Sequence, residues 1–121
     1  MLHDDTTTVS QLKEAIYALC LEKGWGVDGV QNPQQVAMAM TVEMSELLEL
    51  FQWLNPPDVE KLLNGEDPAY VARIAEEFAD VMMYGMQLMR ALKIDVSAEI
   101  EHKIEVVRGR PANRKNLHPF Q

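Results

Sequence analysis

The sequence predicts an all-α protein: a helix bundle of four main helices plus one short helix, completed by oligomerisation. Three observations carry this. Apolar residues recur at helical spacing along most of the chain. Asn-Pro and Asp-Pro pairs stand where helices would begin. No segment reads as a strand. The 121 residues fit one domain spanning 1–121, long enough for a real core. With 47% hydrophobic and 25% charged residues, the composition is that of a soluble globular protein, not a disordered one.

The first helix is expected over 9–23, where Val9, Leu12, Ile16, Leu19 and Cys20 share one face and Gly24 acts as the stop. A glycine-rich loop, Gly24-Trp25-Gly26-Val27-Asp28-Gly29, follows. Asn32-Pro33 supplies an N-cap and a proline at the first helical position, with Gln35 completing a capping box. That second helix runs to about residue 54, where Asn55-Pro56-Pro57 stops it. Residues 58–63 read as the short helix, closed by Gly65. Asp67-Pro68 opens the third main helix, which can continue to Lys93. Asp95 or Ser97 caps the last, whose stripe is Val96, Ile100, Ile104 and Val107. Gly109 and Pro111 end it, and residues from about 110 to 121 form an extended tail.

Over 36–54 and 78–92 the helices are apolar nearly all the way round, and such helices must be covered on most sides. A single chain of this length offers too little cover. A homodimer or homotetramer is expected, with these two helices at its interface.

Several classes are argued against. No stretch of 18 apolar residues lacks charge, so no membrane span is expected. The first residues, MLHDDTTTVS, carry acids where a signal peptide would be basic. The single cysteine, Cys20, has no internal disulfide partner and fits a buried thiol in a reducing cytoplasm. A net charge of -8 argues against general nucleic-acid binding. No Lys or Arg occurs between Gly24 and Glu60, whereas Lys103, Arg108, Arg110, Arg114 and Lys115 crowd the end. That basic end is either a solvated tail or a segment that folds over an anionic ligand. No P-loop, Rossmann glycine fingerprint, Ser-His-Asp order or zinc-ligand cluster is present.

The informative anomaly is acidic. Glu43 and Glu46 lie inside one apolar run, and Glu77 and Asp80 open the other. Residues three apart are neighbours on a helix, so each pair offers two carboxylates on one face. Glu49 extends the first series toward the edge of that face. Burying an unpaired carboxylate costs several kcal/mol. The second helix holds no basic residue, and Arg73 and Arg90 cannot neutralise all four acids. The groups either line a solvated groove or hold a divalent cation, and hard oxygen ligands select Mg²⁺, Mn²⁺ or Ca²⁺ over Zn²⁺.

The run Val42-Glu43-Met44-Ser45-Glu46-Leu47-Leu48-Glu49-Leu50-Phe51-Gln52-Trp53, with Glu76-Glu77-Phe78-Ala79-Asp80-Val81-Met82-Met83-Tyr84 later, resembles the MazG-like all-α nucleotide pyrophosphohydrolases, above all their dCTP pyrophosphatase-type branch. The likeness runs from about Trp25 to Lys103. It implies that Glu43, Glu46, Glu77 and Asp80 are Mg²⁺ ligands, with Mn²⁺ as a substitute. It also implies hydrolysis of nucleoside triphosphates to monophosphate and pyrophosphate, as house-cleaning of the nucleotide pool. Trp53 matches a family tryptophan that packs on the base, and Tyr84 a tyrosine near the nucleotide; either could equally be core. Trp25 falls near a loop tryptophan of the family, Lys103 matches a lysine on the last helix, and Gln31 stands where the dCTP branch has histidine. Where the family often has an asparagine and a Tyr-Pro pair downstream, this chain has Val107, and its Asn113 lies beyond Pro111.

Such a reaction needs an activated water near the α-phosphorus and neutralised charge on the leaving pyrophosphate. Glu46 or Glu49 is the carboxylate expected to orient or deprotonate that water. Two rival readings remain: a non-catalytic helical oligomerisation module, and a di-iron carboxylate bundle using Glu99-x-x-His102, of which the chain has one copy.

Overall fold

The computed structural model of the chain describes residues 1–111, so the expected tail beyond Pro111, with Asn113, Arg114 and Lys115, lies outside the described residues. Five helices make up the described fold: α1 (Val9–Lys23), α2 (Pro33–Glu49), α3 (Pro56–Leu63), α4 (Pro68–Ala91) and α5 (Val96–Arg108). Among the described residues the sole β contact is an isolated antiparallel bridge between Val27 and Val30. The all-α expectation holds.

Helix starts follow the caps. Thr8 accepts from the Gln11 N–H while the Gln11 side chain reaches back to the Thr8 N–H. Asn32 accepts from both Gln34 and Gln35 backbone N–H groups. Gln35 therefore joins that cap through its backbone N–H, without the return bond from its side chain to the Asn32 N–H that the capping-box spacing suggested. Asp67 and Asp95 cap α4 and α5 by accepting from Tyr70 and Ala98.

Helix ends differ more. α2 stops at Glu49, short of residue 54. A continuing helix would give the Leu50 carbonyl to the Leu54 N–H. Instead the Tyr70 hydroxyl of α4 donates to that carbonyl, and Leu54 bonds to Phe51. Pro56 and Pro57 do not merely stop α2. They form the first turn of α3, where missing N–H groups matter least, and Asn55 and Asp58 cap each other reciprocally. α4 ends at Ala91, not Lys93. Ile94 N–H bonds to Met89 and Lys93 N–H to Arg90, a Schellman closure with Lys93 in the left-handed region at φ 57.

α2 and α4 run antiparallel along a shared seam. Tyr70 meets Leu50 at one end, and Met40 packs on Gly85 further along. The Gln31 amide donates to Gln87 Oε1 at 2.7 Å at the far end. A Cβ on Gly85 would come within 3.3 Å of Met40 Cε, so glycine there permits close approach of the helices. α4 also packs against α1 and α3, whereas α5 makes no extended packing with any helix. The core is small: Cys20, Val36, Leu50, Val81 and Met86 are buried. Met38, Val42 and Leu48 on α2, and Ile100 and Ile104 on α5, stand exposed. No helix is long and apolar enough among the described residues to cross a membrane.

Candidate metal and nucleotide site

Midway along the seam, Glu43 of α2 meets Glu77 and Asp80 of α4, with one carboxylate oxygen of each within 4.8 Å of the others. The helical repeat brings Glu77 and Asp80 to one face, and antiparallel pairing brings Glu43 opposite them. Glu43 and Glu77 are half-buried, and each keeps one buried oxygen with no hydrogen-bond partner among the described residues. An orphaned anionic oxygen in such a place is unfavourable unless a cation or proton meets it. Both groups are pushed above the ordinary glutamate value of 4.5. For each, burial is the largest cause, and the negative charge of Glu46 and Asp80 adds to it, with Glu77 adding for Glu43 and Glu76 for Glu77.

The nearby cations are engaged elsewhere. Arg73 lies over the Tyr70 ring, and Arg90 stacks on Tyr17 and pairs with Glu14 at 2.9 Å. Three convergent carboxylates with two orphaned oxygens fit a hard divalent cation in donor chemistry. Cys20, although fully buried, offers nothing here. Burial pushes its thiol above 9.0, only partly opposed by its backbone hydrogen bond and by Arg90.

The expected residues are distributed unevenly. Glu46 stands beside Glu43 and Glu77 closely enough to raise both, yet outside the 4.8 Å group. Glu49 is exposed at the last position of α2. Tyr84, half-buried, lies one turn beyond Asp80 on the same face of α4. Trp53 lies in the turn after α2, not on the helix, and is 86% exposed, so it is no part of this chain's core. Trp25 is exposed on the loop before α2, and Lys103 is exposed on α5. Glu99 and His102 are exposed on α5, and no metal-sized group among the described residues includes them. Gln87, which holds Gln31, is a further residue beside the site that no motif marks. Its spacing of seven from Asp80, two helical turns along one face, was the available signal.

An all-helical chain with carboxylates from two antiparallel helices converging on one point defines an acidic-centre helix bundle. Residues 38–116 match the MazG-like family, and the chain belongs to it. It is similar to human dCTP pyrophosphatase 1, at 27% identity over 103 residues covering 85% of this chain and 58% of that protein. The same-named protein of Bos taurus is 26% identical over the same length. The chain thus spans under three-fifths of the curated relatives it matches. A crystal structure of a pyrophosphatase from Archaeoglobus fulgidus superposes with a TM-score of 0.70 at 25% identity, covering 93% of this chain and all of that one.

Proposed function

We propose that the chain hydrolyses nucleoside triphosphates to monophosphate and pyrophosphate, with a divalent cation, Mg²⁺ by preference and Mn²⁺ as substitute, held by Glu43, Glu77, Asp80 and Glu46. The observation that carries this is the pair of orphaned buried oxygens on Glu43 and Glu77, in a cluster where Glu43 of α2 meets Glu77 and Asp80 of α4. The family membership and the dCTP pyrophosphatase relatives support the substrate class.

Bound there, the cation supplies charge neutralisation for phosphate oxygens and a lowered pKa for water. Glu46, next to the cluster but outside its tightest group, is the carboxylate suited to accept the proton of the attacking water. Glu49 is less well placed, being exposed at the end of α2. Trp53, Tyr84 and Trp25 are the aromatic groups available to stack on the base. Gln31 can bond to a base edge, and Lys103 offers a cation for the departing pyrophosphate.

The reading includes a homodimer or homotetramer. The exposed Met38, Val42 and Leu48 on α2 and the unpacked apolar stripe of α5 are surfaces a second copy would cover. A cytoplasmic house-cleaning role fits the free buried thiol and the nucleotide chemistry. A nucleotide panel with Mg²⁺ tests the reading. Equimolar monophosphate and pyrophosphate are expected; release of orthophosphate, or no metal-dependent turnover, refutes it.

A further inference from the structure

We propose that Gln87 is a positioning residue that holds the Gln31 amide while letting it turn over, so that a bound nucleotide can present either an amino or a keto base edge. The inference rests on the nucleotide reading above. Gln87 lies seven residues beyond Asp80 and three beyond Tyr84, on the same face of α4. At 1.5 Å per residue that is about 10 Å from the acids along the helix axis. This places the Gln31–Gln87 bond where the base would lie if the phosphates sit at the carboxylates.

The backbone of Gln31 is already fixed. The loop turns so tightly that a Cβ on Gly26 would stand 2.2 Å from the Val30 carbonyl oxygen and 2.7 Å from the Gln31 nitrogen. The Tyr17 hydroxyl donates to the Asp28 carbonyl, tying the same loop to α1. What remains adjustable is the amide at the end of the Gln31 side chain. Its Nε2 donates to Gln87 Oε1, and no other group among the described residues bonds to either amide. Gln31 Oε1 and one N–H are therefore available to a ligand.

A primary amide presents an acceptor and a donor side by side. Cytosine and adenine offer an exocyclic amine beside a ring nitrogen acceptor. Uracil and guanine offer an exocyclic carbonyl beside a ring N–H. One amide can pair with both classes only by turning over. Gln87, itself an amide, keeps its bond to Gln31 when both turn over together, so the pair accepts amino and keto bases alike. A group at position 87 that only accepts, or only donates, would freeze Gln31 one way.

The test measures kcat and KM for CTP, UTP, ATP and GTP with Mg²⁺, using wild type, Gln87→Glu and Gln87→Lys. A carboxylate engages Nε2 and leaves Oε1 free, favouring the amino bases; an ammonium engages Oε1 and favours the keto bases. The expected result is opposite shifts of the CTP/UTP and ATP/GTP ratios of kcat/KM, each about tenfold and carried by KM. The shifts should vanish when Gln31→Ala is added. A merely structural Gln87 would change melting temperature and leave the ratios where they were. Unmoved ratios, or shifts of the same sign in both variants, with pyrophosphate release intact, overturn the inference alone. A wild type that releases no pyrophosphate from any nucleotide overturns the underlying reading, and the inference with it.

Discussion

α4 and α5 follow one another in the chain and meet opposite fates. α4 packs against three helices and supplies two of the five buried core residues, Val81 and Met86. α5 buries none and leaves Ile100 56% exposed. By sequence α5 carries a single apolar stripe, whereas α4 is apolar nearly all the way round over 78–92. The difference is that α4 carries apolar groups on several sides, enough to seat α1, α2 and α3 at once. Two of the acids ride on this braced helix, where neighbouring elements hold their positions. Among the described residues, the apolar stripe of α5 has no helix packed extensively against it.

The sharpest way to break the comparison is to remove an acid from the braced helix. Glu77→Gln or Asp80→Asn should lower kcat/KM about a hundredfold or more, because several kcal/mol of transition-state stabilisation go with the cation. Metal-free Glu77→Gln should melt higher than metal-free wild type, since a crowded charge is relieved. The pH dependence follows from the raised pKa values of Glu43 and Glu77. Each binds its proton more tightly folded than unfolded. The stability this lends is full below 4.5 and is lost as pH rises through the raised values. Metal-free wild type should thus melt lower as pH climbs through that window, and saturating Mg²⁺ should flatten the decline. Scanning calorimetry with and without Mg²⁺ checks both.

On α5, Ile100→Ser should weaken self-association about tenfold or more, as expected for an isoleucine buried by a second copy. Light scattering across a dilution series reads this. An unchanged dissociation constant would mean that α5 is covered by something other than another copy.

Trp53→Ala should raise KM about tenfold through lost stacking, with little change in melting temperature because the ring is exposed. A fall in stability with KM unaltered would assign Trp53 to packing between copies. The smallest effect concerns the joint between α4 and α5. Lys93→Gly relieves a left-handed backbone and should stabilise by about 0.5–1 kcal/mol, a rise of a few degrees by thermal melt.

The helices were legible because caps and prolines are local. Asn32-Pro33 and Asp67-Pro68 open α2 and α4 where the sequence placed them. Two ends were not legible, each for a tertiary or conformational reason. Nothing near Leu50 in sequence announces that a tyrosine twenty residues away will take its carbonyl. Lys93 ends α4 in a conformation that glycine usually signals. The meeting of Glu43 with Glu77 and Asp80 was legible, because antiparallel apolar helices with matched acidic pairs leave little choice. The exposure of Trp53 follows from where α2 stops, and that stop is set by the tertiary contact of Tyr70.

The antiparallel seam also constrains how this chain can vary in length. Each residue added to a helix turns everything beyond it by about 100°. One residue inserted between Asp80 and Gly85 would keep either the acids facing Glu43 or the glycine facing Met40, never both. The connector around Gly65 is different: a Cβ there meets nothing within 4 Å, and the flanking Asn64 and Glu66 are exposed. Insertions and deletions should therefore accumulate at that connector and be absent from the middle of α2 and α4, making the spacing of the acids a more durable record of descent than their surroundings.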